Sequence, residues 1–505
     1  MQLFEDNSEA EVPVSLRNQQ KELRSQIIWY RSLLAPIRKL PLECLIQIFA
    51  LVCMGCKVSR KEVDCPATRL SQVCAGWGEL ARSIPIWSHI NINLYWVSSF
   101  RCNGDVIRSI LTTHLELSKN SPLCIVLGLP ADPTESQTTS DIIHLLFPHS
   151  RRFQDFSFQG SSRTLWSDGF ASIKGNLPQL QSLSLGLETL ANSSPSSRKL
   201  DIFYDAPQLR VVRYTHSPDY AIEFPWTQIT DFTSQYTRCS LALEDLSRLT
   251  MADKVTLHCC DTRQTLPNIN TPTNMPFRSL SIDVDDFGYL LSQWFRWFTL
   301  PNLEVLQLSG VEFQENHPNG RFTIEDLPSF ISRSSCTIRS LSFSRLAVSD
   351  KDIITLLRSL PMFSELTIHE RHYGDYGKNV AVTDTFLKCL TVDHENYDIK
   401  QPFLSRLSAL NLRVHAPFAT EKLVHMIQSC WIPDQKHSDR LGVVSLLSFN
   451  LMVLYEREAV DIPITGLQML DSLKADGLEY NLTVEALAGR QTIDVQVLNL
   501  TERHR

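Results

Sequence analysis

Several things are missing from this sequence, and each absence closes off a class of function. No apolar run approaches the roughly 18 residues needed to cross a bilayer. The opening "MQLFEDNSEAEVP" is acidic where a secretory signal is basic and then apolar. Positive charge is not in excess: 48 Lys and Arg against 55 Asp and Glu leave a net charge of -7, with no general attraction to nucleic acid or anionic lipid. The 18 glycines build no phosphate loop. "GDYGKNV" (374–380) has a lysine after a glycine, but neither the spacing nor the Ser/Thr of that motif. A GxSxG nucleophile elbow and a dinucleotide-binding glycine fingerprint are absent as well. The expectation is a soluble chain of the cytoplasm or nucleus, with no membrane or nucleic-acid partner, no cofactor and no enzymatic chemistry.

What is present suits a packed interior. Hydrophobic residues make up 43% of the 505 positions and charged residues 20%. Such a length corresponds to about three domains of ~150 residues, or to a repeat array. In an intracellular chain the 13 cysteines read as reduced thiols, most of them small buried hydrophobes. Cys53, Cys56, Cys65 and Cys74 could supply four thiolates to a zinc ion. Only the first pair has a recognised ligand spacing and no second CxxC follows, so packed thiols are favoured and no metal ligand is assigned. His258-Cys259-Cys260 reads as a packed or surface strand end, and His369-Glu370-x-His372 as a solvated loop. The Asp283, Asp285 and Asp286 cluster reads as a turn cap.

The first elements are helical. Residues 14–35 carry Leu16, Leu23 and Tyr30 seven apart, with Ile27 and Leu34 on the alternate seam, and Pro36 ends the pattern. Under four heptads is short for a coiled coil, so this helix is expected to pack on the next element. In "LPLECLIQIFALV" (40–52), Pro41 suits the first helical turn. Leu42, Leu45, Ile46, Phe49 and Val52 form one stripe, with Ile48 well off it. That helix is apolar on more than one side and needs a second cover. After an irregular 53–66, "LSQVCAGWGELARSIPIW" (70–87) places Leu70, Val73, Cys74, Trp77, Leu80 and Ala81 on a single helical stripe. Gly76 and Gly78 lie beside Trp77, where the missing side chains admit a close neighbour.

Beyond residue 86 the texture changes to short alternating runs. "LPQLQSLSLG" (177–186), "APQLRVVRY" (206–214) and "LPNLEVLQLSG" (300–310) resemble one another, with looser copies between and after them. Aligned on a central apolar residue, the anchors are Leu183, Val211, Phe232, Val255, Leu280, Leu306, Leu341, Leu366, Leu410 and Leu447, spaced 21 to 44 apart. The shorter gaps match a leucine-rich-repeat period of ~20–29 residues. Residues 349–363 and 419–430 read as intervening helices, and Trp294, Phe295, Trp297 and Phe298 as closing the core between repeats. Polar insertions are expected at 130–140, 191–198, 261–276, 310–322 and 370–380. The expected fold is α/β: a helical N-terminal part and an irregular leucine-rich-repeat-like solenoid, with short parallel strands on one face and helices on the other.

Residues 37–90 resemble the F-box, and in particular fungal F-box proteins with degenerate leucine-rich repeats behind. The matching pieces are Leu40-Pro41, Glu43, Ile48-Phe49, Val73-Cys74-x-x-Trp77, Leu80-Ala81 and Pro85-x-Trp87. The departure is 53–66, where the family has a short hydrophobic segment. The resemblance implies three parts: an N-terminal helix and linker (1–36), an F-box (37–92) and a repeat domain that presents a target protein (93–505). It implies a substrate receptor of a Skp–cullin–F-box ubiquitin ligase, with a Skp-family adaptor, and through it a cullin, as partners. Family contact positions fall on Leu40, Pro41, Leu45, Ile48, Phe49, Val73, Cys74 and Trp77. Two alternatives stay open at this stage. One is an F-box scaffold outside ubiquitination; the other is a solenoid protein with an enzymatic or metal-binding role.

Overall fold

The computed structural model describes residues 14–34, 36–53, 55–59, 63–95, 104–130, 137–188, 199–215, 221–235, 239–260, 272–284, 295–310, 324, 326–346, 348–360, 362–370, 381–395, 403–415, 419–456 and 470–487. The protein is α/β and divides into two compact units, Met1–Ile125 and Val126–Arg505. No helix among the described residues is long and apolar enough to cross a membrane.

The first unit begins with α1 (Val14–Leu34). Its seam residues Leu23, Ile27 and Tyr30 are exposed; the side chains of Leu16 and Leu34 lie outside the described residues. A 3-10 turn (Pro36–Lys39) leads to α2 (Leu42–Val52). Pro41 sits one position ahead of the expected first turn, at the N-cap, and its carbonyl accepts from the Leu45 N–H. The irregular 53–66 segment holds an antiparallel pair, β1 (Cys56–Ser59) and β2 (Val63–Asp64). Gly55, at φ +142°, makes the turn into β1, a conformation that favours glycine. Next come α3 (Pro66–Ser71), α4 (Ala75–Ser83), β3 (His89–Asn93), which runs parallel to β1, and α5 (Gly104–Leu117). The division between the units falls within β4 (Leu123–Gly128).

One expectation fails here. The stripe over 70–81 is not a single helix, because the chain breaks between α3 and α4. Cys74 is extended (φ -162°, ψ 167°) and acts as N-cap, its carbonyl accepting from Gly78 N–H at 2.9 Å. A Cβ on Gly78 would lie 2.9 Å from the Ser71 carbonyl oxygen, so glycine is what lets α4 start against the end of α3. Gly76 faces open space and carries no such constraint. The small core of this unit gathers Phe49 from α2 and Cys53 at its C-cap, Ala67 from α3, Leu80 and Ala81 from α4, and Ile86 and Trp87 after it. The Trp87 indole N–H donates to the Ala81 carbonyl at 2.7 Å, locking the chain that leaves α4.

The second unit is built on a parallel ladder. Its strands include β5 (Phe153–Ser161), β6 (Ser182–Glu188), β7 (Lys199–Leu200), β8 (Val211–Thr215), β9 (Ala221–Ile222), β10 (Asp231–Gln235), β11 (Lys254–Cys260) and β12 (Thr273–Asn274). After these come β13 (Ser279–Val284), β14 (Phe298–Thr299), β15 (Val305–Gly310), β16 (Ser340–Ser344), β17 (Glu365–His369), β18 (Ala409–Val414), β19 (Ser448–Glu456) and β20 (Glu479–Leu487). From β5 the hydrogen-bonded order is β5-β6-β8-β10-β11-β13-β15-β16-β17-β18-β19-β20, each strand beside the preceding strand of the ladder. The remaining short strands pair apart, β7 with β9 and β12 with β14. Several crossovers carry helices, among them Asp350–Leu357 and Thr420–Cys430, close to the two expected from the sequence.

Register decides which side chains face inward. Phe156, Leu183, Val212, Phe232, Val255, Leu280, Leu306, Leu341, Leu366, Leu410, Phe449 and Tyr480 follow one another across the ladder, and all are buried. Eight of the ten expected anchors are in this row. Val211 is one residue out: Val212 is the partner of Leu183 and Phe232, and a one-residue slip turns a side chain to the other face. Leu447 precedes its strand and is 56% exposed, while Phe449 occupies the row. Phe295, Trp297 and Phe298 are buried as expected; Trp294 lies outside the described residues. The expected insertions fall largely outside them too, except that 137–140 begin a helix and 273–274 form β12.

Candidate docking surface

Helix α2 buries one narrow side. At 100° per residue, Leu45, Ile46, Phe49 and the C-cap Cys53 fall on one arc, and these are its half-buried or buried positions. Cys44, Ile48, Leu51 and Val52 fall on the opposite and flanking arc, and all are exposed, Leu51 at 72%. Leu42, at 57%, and Leu40 are exposed just before them. In the break between α3 and α4, Val73 is 59% exposed and Cys74 is exposed beside it. An ordinary surface helix turns polar residues outward; this one turns aliphatic residues outward on a unit whose own core is small.

The eight positions named from the resemblance divide three ways. Leu40, Pro41, Ile48, Val73 and Cys74 are exposed. Leu45 and Trp77 are partly buried against the core cluster. Phe49 is fully buried and edge-on to Trp77 at 5.0 Å between ring centroids, so it is a core residue and not a contact residue. Its position in the stripe was legible; its side was not, because α2 is apolar nearly all round. Leu42, Leu51 and Val52 were missed as surface residues for the same reason.

The cysteines separate by environment. Cys53 is in the core, where burial pushes its thiol up to about 11 against the opposing influence of Arg69. Cys74 is at the surface. Cys56, at the start of β1, and Cys65, the N-cap of α3, come together with His114 of α5, a residue the sequence reading did not single out. The Cys56 thiol holds Cys65 down to about 5 against burial, with the His114 ring adding to the lowering; the same contact and burial push Cys56 up.

Elsewhere, Glu370 corrects an expectation. It is buried, not solvated, and accepts from the backbone N–H groups of Ala381, Val382 and His415, tying chain after β17 to chain after β18. Burial raises its pKa, partly offset by those N–H groups. His372 lies outside the described residues. His258 pairs with Asp283 on the neighbouring strand, so Asp283 is a pairing residue instead of the expected turn cap; Asp285 and Asp286 lie outside the described residues. The face of the ladder opposite the buried row is half-open and polar, with Gln307, Ser342, Thr367, Asn411, Asn450 and Asn481 in successive register. The chain matches no protein-family model and no curated protein.

Proposed function

We propose that this protein is a substrate receptor of a Skp–cullin–F-box ubiquitin ligase, its first unit docking a Skp-family adaptor and its second holding a target protein. The observation that carries the reading is the aliphatic arc of α2 together with Val73, exposed on the stretch that resembles the F-box. A partner helix laid on that arc would bury side chains that contribute about 1.5–3 kcal/mol each. A standard interface of ~1,600 Å² needs only a few such anchors. The contact set is Leu40, Pro41, Ile48, Leu51, Val52, Val73 and Cys74, with Leu45 and Trp77 at its margin and Phe49 beneath it.

The second unit reads as the leucine-rich-repeat-like solenoid. Its polar outer row suits a protein target held by many hydrogen bonds rather than by an apolar pocket. Catalysis in such an assembly comes from proximity: the receptor raises the effective concentration of a target lysine near a charged conjugating enzyme and contributes no reacting group. The test is co-purification of the full chain with a Skp-family adaptor, compared with Val73→Glu. Recovery of adaptor by the wild type and not by the variant supports the reading; failure of the folded wild type sinks it.

A further inference from the structure

We propose that Cys56, Cys65 and His114 form a zinc site that fastens the β1–β2 pair and the start of α3 to α5. Their ligating atoms all lie within 4.8 Å of one another. Zinc in a tetrahedral site has ligand-to-ligand edges of about 3.4–3.8 Å, so small side-chain adjustments of roughly 1 Å would close the set.

The decisive residue is His114. It is 1% exposed, and its Nδ1 lies 3.1 Å from the Trp87 carbonyl oxygen. A carbonyl can only accept, so Nδ1 carries the proton and Nε2 carries the lone pair. Nε2 is buried, makes no hydrogen bond of ordinary geometry, and has the Cys65 thiol as its neighbour. A histidine fixed by a backbone carbonyl at one nitrogen, with the other nitrogen beside two thiols, has the arrangement of a metal ligand with its orienting group in place. Without a metal that lone pair meets only the Cys65 thiol, and not in good hydrogen-bond geometry. The edge-on contact of the ring with Trp87, at 5.1 Å between centroids, holds its plane further.

The donor set selects the metal. Two thiolates and an imidazole suit zinc and disfavour magnesium, calcium and manganese, which prefer oxygen. On binding, each thiol proton leaves to solvent and two Zn–S bonds form. Two thiolates neutralise the ion's charge, which suits a site where Cys56 and His114 are buried. Among the described residues no fourth His, Cys, Asp or Glu joins the three. Cys56 and Cys65 lie within the segment 53–66 that departs from the F-box pattern, and the metal would give that segment its anchor. The site stands or falls independently of adaptor docking.

The experiment uses the full chain, reduced and without a polyhistidine tag. Zinc is measured on the purified protein, and the metal-free protein is titrated with cobalt(II). The expected result is about one metal per chain, with thiolate-to-cobalt charge-transfer absorption and the strong visible bands of tetrahedral cobalt. Cys65→Ser and His114→Gln abolish these bands, while Cys44→Ser keeps them. If those variants fail to fold, alkylation of the wild type decides: zinc slows modification of Cys56 and Cys65 by about tenfold or more and leaves Cys44 and Cys74 reactive. Folded, reduced wild type without stoichiometric zinc and without the cobalt spectrum overturns the proposal. So does a spectrum unchanged in His114→Gln, or equal alkylation with and without zinc.

Discussion

Two residues a turn or less apart on α2 carry opposite assignments. Phe49 is buried with its ring edge-on to Trp77, and Leu51 is exposed. Phe49→Ala should therefore cost about 3–5 kcal/mol in denaturant unfolding of the chain, whereas Leu51→Ala should stay within about 0.5 kcal/mol. Equal losses would mean that α2 is rotated from the orientation described. Periodicity could identify an apolar helix here but could not orient it, since Leu42, Leu45, Ile46, Phe49 and Val52 match one stripe while Ile48 and Leu51 are equally apolar. His114 was invisible to sequence spacing for a simpler reason: its partners are 49 and 58 residues away in the chain. At the same scale, hydrogen bonding to Asp283 raises the His258 pKa, against the lowering effect of burial. Because the folded value lies above the unfolded one, this pair's contribution to stability is complete below the ordinary histidine value of ~6.5. It is lost as the pH rises through the raised folded value. An NMR titration should place the His258 midpoint above 6.5 and move it down in Asp283→Asn; an unchanged midpoint would remove Asp283 as the cause.

Register is the lesson of the elements. The strands of the second unit were readable as short alternating runs because each contributes the same buried row, Leu306 to Leu341 to Leu366 to Leu410. The two misplaced anchors fail where the apolar residues come in pairs. Val211 and Val212 offer both faces a valine, and Leu447 lies two residues before Phe449. Phe449 stacks on Tyr480 at 6.0 Å with planes within 1°. Phe449→Ala should lower stability by about 3–5 kcal/mol, and Leu447→Gln should be near neutral, both read by thermal unfolding. The reverse order would show that β19 is shifted by two. The α3–α4 break was hidden by coincidence. Two short helices happened to continue one stripe across Val73 and Cys74, and nothing in the spacing marks the extended Cys74. That break is what turns Val73 outward.

For the whole molecule, the proposal is a first unit that docks an adaptor and a second unit that holds a target. The α/β class and the parallel ladder were legible because a repeated apolar row needs a repeated strand. The docking arc was legible only as a surplus of apolar residues, since the partner that would cover them is not in the sequence. The most direct measurement is the affinity of the purified full chain for a purified Skp-family adaptor, by calorimetry, for the wild type and for Ile48→Glu and Val73→Glu. The account predicts wild-type binding at micromolar strength or tighter, ~8 kcal/mol or more. It predicts losses of about tenfold or more in each variant, with unfolding midpoints unchanged because both positions are exposed. No binding by folded wild type, or equal binding by both variants, would contradict it.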